Sequence, residues 1–210
     1  MKCTCFSLLP AALFFATPVS AVNLILNPGF EELSANSGPA SWGFGTVKGA
    51  EKETIALDSV ERHAGERSVR ITQGSDGTYS SVRQEVKVLK YALYKLSCFA
   101  RVADIRKGAG GLGAKIYVGG KEKTLGSKEV SSAAWTAHSF TFETGENEAV
   151  GVIVYLHLSS GRAWFDDVIL ERVREGAAAK AETVPEGENL ARGKKYAMSA
   201  LPAKTWEKSL

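Results

Sequence analysis

Apolar and polar residues alternate with a period of two along most of the chain between Val22 and Val173, and no stretch there carries a strong 3.6-residue period. Successive side chains of a strand point to opposite faces, so each such run predicts a strand with one buried face. Arg67 to Thr72 sets Val69 and Ile71 on one face, and Val82 to Val88 does the same with Val82, Val86 and Val88. Tyr94 to Val102 turns Leu96, Cys98 and Ala100 inward and leaves Lys95, Ser97, Phe99 and Arg101 on the other face. Ala114 to Val118 turns in Ile116 and Val118, with Lys115 and Tyr117 outward, and Phe140 and Phe142 alternate in HSFTF. Val150 to Leu158 puts Val152, Val154, Leu156 and Leu158 toward a core, with Ile153, Tyr155 and His157 opposite. A last strand spans Ala163 to Leu170. Gly, Ser and Asp turns separate these runs, and 21 glycines suit many tight turns. Short strands without amphipathic helices between them predict an all-β fold, a two-sheet sandwich or jelly roll. Roughly 150 residues are enough to bury one core without disulfides.

Residues 1–21, MKCTCFSLLPAALFFATPVSA, stand outside this pattern. Lys2 supplies a positive start, Phe6 to Ala16 an apolar run, and Val19-Ser20-Ala21 a small-residue cleavage site, which together spell a signal peptide. The apolar run, broken by Pro10, is too short to cross ~30 Å of hydrocarbon as a helix. The expectation is therefore a chain without a transmembrane span, secreted, periplasmic or held at the cell surface, whose mature form begins at Val22. Cys3 and Cys5 leave with the signal peptide, so no intramolecular disulfide is expected, and Cys98 reads as a small buried hydrophobe. The 26 Lys and Arg against 23 Asp and Glu give a formal charge of +3, too balanced for the basic surface a nucleic-acid partner requires.

After Val173 the composition changes to REGAAAKAETVPEGE, a linker over residues 174–188. The remaining residues 189–210 are too few to bury a core and read as the incomplete start of a further module, with more modules expected beyond Leu210. Catalytic signatures are missing: the sequence has no GxSxG, HExxH or P-loop, and His63, His138 and His157 are scattered. Gly108, Gly110 and Gly113 spell a dinucleotide-binding fingerprint, but AKIYVGG after them reads as a strand rather than the required helix. The glycine run is thus expected to be a flexible surface loop. Asp166 and Asp167 are adjacent on a strand and face opposite ways, so they cannot act as the facing carboxylates of a glycosidase, ~5 to 9.5 Å apart. No enzyme activity is expected of the chain.

The opening LILNPGFEE, the segments GERSVRIT, YKLSCFAR and AAWTAHSFTF, and the closing AWFDDVILE occur in an order and spacing that closely resemble the family 4/9 group of carbohydrate-binding modules, the type attached to bacterial cellulases and xylanases. The resemblance covers about Asn23 to Arg172. It implies a galactose-binding-like jelly roll that takes up polysaccharide or oligosaccharide on a concave sheet face and often carries a structural calcium. Carried over residue by residue, the calcium ligands would be the Glu31 and Asp166 carboxylates and the Gly29 and Gly65 carbonyls, with Asp166 pointing out of the core. Such oxygen donors suit a hard cation, which takes 6 to 8 of them. Tying Glu31 to Asp166 closes most of the domain into one loop, an entropic effect on the order of 4 kcal/mol at most.

A sugar ring presents an apolar C–H face and a rim of hydroxyls, so its site needs aromatic rings beside hydrogen-bonding groups. Strand parity puts Phe99, Arg101, Tyr117, Tyr155 and His157 opposite the core residues, and several are expected to share one concave sheet. Trp42, in the loop GPASWGFG, is expected at the rim, while Trp135 and Trp164 are expected to pack at strand ends. The terminal NLARGKKYAMSALP resembles the opening of factor V/VIII type C, or discoidin, domains. Two other readings stay open: a structural or adhesive cell-surface jelly roll that binds no glycan, and the ancillary N-terminal part of a larger glycan-active enzyme.

Overall fold

The computed structural model describes residues 22–46, 55–74, 79–118 and 121–175, with only the backbone of Thr46, Tyr117 and Val118. Residues 1–21, read above as a signal peptide, nearly all of the expected linker of residues 174–188, and residues 189–210 with their discoidin-like resemblance lie outside the described residues. Ten strands make up the fold: β1 Gly43–Thr46, β2 Ile55–Asp58, β3 Ser68–Gln73, β4 Tyr79–Lys87, β5 Leu93–Ala103, β6 Ala109–Val118, β7 Lys121–Val130, β8 Thr136–Glu143, β9 Ala149–His157 and β10 Gly161–Arg174. They form two five-stranded antiparallel sheets, ordered β1-β4-β9-β6-β7 and β2-β3-β10-β5-β8, packed as a jelly-roll sandwich. Among the described residues there is no helix, and hence none long and apolar enough to cross a membrane.

The core lies between the sheets. Val82, Leu112, Val152, Val154 and Leu156 from the first sheet meet Val69, Ile71, Leu96, Ala100 and Phe165 from the second, all fully buried. Each of these Val, Leu, Ile and Phe side chains withdrawn from water contributes about 1.5–3 kcal/mol, and this burial holds the sandwich without a disulfide among the described residues. Cys98 belongs to the core at 2% exposure, and burial pushes its thiol up to about 12. The amino-terminal segment is sewn onto the sandwich edge. Asn23 accepts the Leu170 N–H at 3.0 Å and donates to the Val168 carbonyl at 3.1 Å, while Gln84 holds Leu26 by both its N–H and its carbonyl.

Three expectations need correction. The glycine run is not a surface loop: Gly110, Gly111 and Gly113 lie inside β6, paired with β9 on one side and β7 on the other. Leu158 is not a core residue; β9 ends at His157, the backbone turns left-handed at Leu158 (φ 49°), and the side chain is 48% exposed. Trp42 is not a rim residue but 6% exposed, with its indole N–H on the Asn27 carbonyl at 3.0 Å and its ring 5.0 Å from that of buried Phe30.

Candidate functional site

The outward face of the first sheet is set by the same parity that fills the core. Buried Val152, Val154 and Leu156 leave Gly151, Ile153, Tyr155 and His157 on the outer side of β9, while buried Leu112, Ala114 and Ile116 leave Gly111, Gly113 and Lys115 there on β6. Register aligns these residues across strands. Tyr155 stands between Ser81 of β4 and Gly111 of β6, and Gly111 in turn faces Glu129 of β7.

Tyr79, Tyr155, His157, Lys115, Glu122, Thr124 and Ser127 line an open groove of about 500 Å³ on this face. The Tyr79 and Tyr155 rings are 6.1 Å apart and inclined by 28°, and His157 meets the Tyr79 ring edge-on at 5.5 Å. Burial raises the Tyr155 phenol above its usual value, Glu129 adds to this, and the hydrogen bond with Ser127 works against it. Lys115 pairs with Glu122 and has its ammonium 5.4 Å from the centre of the Tyr79 ring. Burial pulls the Lys115 ammonium down, but the hydrogen bond to Glu122 and the interaction with Tyr79 outweigh it, and the net shift is upward. A smaller recess of about 180 Å³, walled in part by Arg83, Glu85 and Gly151, shares Lys115 with the groove. Aromatic faces beside an ammonium, a carboxylate and hydroxyls suit a ligand that is apolar on one face and hydroxylated at its edge.

Of the residues expected to bind sugar, the structure brings Tyr155 and His157 together in this groove. Tyr117 is on the strand that carries Lys115, in register with Glu122; its side chain lies outside the described residues. Phe99 and Arg101 do not join them, because β5 belongs to the second sheet and strand parity alone does not assign a strand to a sheet. There Phe99 stacks under His63, with ring centres 3.5 Å apart, and Arg101 pairs with Glu61 at 2.5 Å and lies over the Trp164 ring. Trp164 is 3% exposed, and Trp135 packs 6.0 Å from His63. Tyr79, Glu122 and Ser127 were missed by sequence reasoning. The polar strand KEKTLGSKEV shows little alternation, whereas Tyr79 is legible as the outward position three residues before Val82.

The four residues expected to hold calcium meet at one end of the sandwich. A Cβ at Gly29 would lie 3.6 Å from Asp166 Oδ1 and 3.7 Å from Glu31 Cγ, and one at Gly65 (φ 59°) would strike the Glu31 carboxylate. Asp166 points away from the core, yet is 1% exposed because the β2–β3 loop covers it; Asp167 does not face the opposite way as expected, because the backbone turns left-handed there (φ 49°) and its carboxylate also meets His63, at Nδ1 and 2.7 Å. Its Oδ2 accepts the N–H groups of His63 at 2.9 Å and Ala64 at 3.1 Å. Burial pushes the Asp166 carboxyl up to about 6 despite those bonds. Glu31 Oε1 accepts the Glu66 N–H at 2.9 Å, and the Gly65 carbonyl accepts from Arg62 Nε at 3.0 Å. Among the described residues no three carboxylate, imidazole or thiolate groups form a ligand set of their own. Backbone carbonyls would have to supply much of the coordination, which a hard cation accepts.

The model of a carbohydrate binding domain, CBM_4_9, matches residues 22–162. No curated protein matches the chain. Solved structures that resemble it include the CBM22-1 xylan-binding domain from Paenibacillus barcinonensis Xyn10C, with 13% identity, 74% of this chain and 97% of that one covered, and a TM-score of 0.53. A CBM4 module shares 16% identity over 70% of this chain and 99% of its own, with a TM-score of 0.52. TmCBM61, solved in complex with β-1,4-galactotriose, shares 18% identity over 72% of this chain and 99% of its own, with a TM-score of 0.50. At these identities the likeness is one of fold.

Proposed function

The chain belongs to the CBM_4_9 family of carbohydrate-binding domains, and on that premise we propose that it binds polysaccharide or oligosaccharide chains in the groove on the outer face of the first sheet, as an exported module without catalytic activity of its own. The observation that carries the reading is the Tyr155 ring in an open groove with Tyr79 beside it and Lys115, Glu122 and Ser127 along the wall. The rings offer apolar faces for pyranose C–H groups, and the polar wall offers donors and acceptors to equatorial hydroxyls. Specificity among glycans follows from such site chemistry and not from the fold. Since relatives of the same fold include a xylan-binding domain and a module solved with β-1,4-galactotriose, xylan and β-1,4-galactan head the panel to test, followed by β-glucan and mannan. Retardation in affinity electrophoresis by one of these, lost on Tyr155→Ala, is the expected result. Equal mobility in every gel, from folded protein, would count against the reading.

We further propose a structural calcium held by the Glu31 and Asp166 carboxylates with the Gly29 and Gly65 carbonyls. What supports it is the convergence of those four residues and the cost of ionising a carboxylate as buried as Asp166, which a bound cation would offset. The ion would supply charge and cross-linking between the amino-terminal turn and β10. Export rests on the residues 1–21 read above as a signal peptide.

A further inference from the structure

β6 carries glycine at successive outward positions, Gly111 and Gly113, in a strand paired on both sides. Glycine inside a strand costs stability and packs nothing, so its place there calls for a close approach of another group. That group is the Tyr155 ring. A Cβ on Gly113 would meet Ile153 at 3.2 and 3.4 Å and Tyr155 Cε1 only at an ordinary 3.6 Å, whereas one on Gly111 would fall 2.3 Å from Tyr155 Cζ, 2.4 Å from its hydroxyl oxygen and 2.8 Å from Cε2. Real side chains do not approach so closely. The ring therefore leans from β9 across β6 and lies against the Gly111 backbone, its hydroxyl reaching toward β7, where it hydrogen-bonds Ser127.

We propose that Gly111 is a positioning residue for glycan binding: by lacking a side chain it lets the Tyr155 ring lie flat on the sheet, with one face covered by backbone and the other turned to the groove. An alanine at the same position would lift the ring edge-on into the space a sugar would occupy. Gly43 provides the matched control. It lies on β1 of the same sheet, in register with Arg83, and a Cβ there would meet only the Arg83 carbonyl at an ordinary 3.7 Å. The inference rests on the groove being the glycan site, but the placement of the ring can be measured without any glycan.

The test uses the full chain with 13C-labelled tyrosine and compares wild type, Gly111→Ala and Gly43→Ala, the Tyr155 ring signal being assigned by its loss in Tyr155→Phe. The expected result is a displaced Tyr155 signal and about tenfold weaker binding to whichever of soluble xylan, β-1,4-galactan and β-glucan binds wild type, in Gly111→Ala only. An unmoved ring signal, or a moved one with wild-type affinity, overturns the inference. Should wild type bind none of these polysaccharides, nor mannan, while the ring still moves, the glycan reading fails and the packing of Tyr155 on Gly111 stands. If Gly111→Ala alone does not fold, Gly111→Ala with Tyr155→Ala removes the clashing ring. Recovery of the fold in the double variant supports the inference, and continued unfolding overturns it.

Discussion

The ammonium of Lys115 on β6 stands 5.4 Å from the centre of the Tyr79 ring on β4, reaching past β9, the strand between them. It is also paired with Glu122, so the groove holds a cation whose charge is largely cancelled. Glu122→Gln removes the cancelling carboxylate. The variant is expected to gain affinity for a uronate polymer such as polygalacturonate, by a few-fold at low salt, and to lose that gain at about 0.5 M salt as screening shortens. Affinity electrophoresis at two ionic strengths reads this directly; no gain at low salt would mean that Lys115 is not directed at the ligand.

On the second sheet, Asp58 is a buried carboxylate satisfied four times over. It accepts Trp164 Nε1 at 3.0 Å, Arg70 Nη1 at 3.0 Å, and the N–H groups of Val60 at 2.9 Å and Glu61 at 3.1 Å. Burial acts to raise its carboxyl, but the hydrogen bond from Trp164, the backbone bonds and the Arg70 charge together outweigh it, and the net shift is downward. A carboxyl lowered in the folded state stabilises above its unfolded value of 3.8, and that contribution disappears as the pH falls through the folded value. Asp58→Asn is accordingly expected to cost on the order of 1.5–3 kcal/mol at pH 7 and to flatten the acid limb of the stability profile. Urea titrations from pH 7 to pH 3 check both; an unchanged acid limb would show that another carboxylate governs it.

Calcium should stabilise the folded chain and not the unfolded one, which makes the melting temperature depend on its concentration. Chelation is expected to lower the melting temperature of wild type and leave Asp166→Asn and Glu31→Gln untouched. A wild type indifferent to both chelator and added calcium would remove the ion from the account and leave the N–H bonds to Asp166 and Glu31 as the whole of that junction.

Cys98 has its thiol held up to about 12 by burial, and only the thiolate reacts. In the folded chain it should resist alkylation at pH 8 and become labelled once urea exposes it, as peptide mapping will show. Labelling without denaturant would mean that β5 opens on the timescale of the reaction.

Much of this was legible in the sequence because parity is a local property. The inward set Leu96, Cys98 and Ala100 on β5 and the outward pair Tyr155 and His157 on β9 follow from alternation alone. Parity does not say which sheet a strand joins, and so it groups Phe99 and Arg101 with Tyr155 although β5 and β9 lie in different sheets. The burial of Trp42 escapes a local reading for a related reason: nothing nearby in the sequence announces that its indole closes on the Asn27 carbonyl 15 residues away. The glycines of β6 are the least legible of all. Glycine marks loops in most contexts, and its use here as a bed for an aromatic ring depends on a strand forty residues later.

Whether glycan lies on Tyr155 is decided by isothermal titration of the full chain, wild type and Tyr155→Ala, with xylan and β-1,4-galactan in the presence of calcium. Saturable heat from one polysaccharide with wild type, and its loss in Tyr155→Ala at an unchanged melting temperature, is the predicted result. Undiminished affinity in a folded Tyr155→Ala protein would contradict the account, since glycan would then be held somewhere other than the groove.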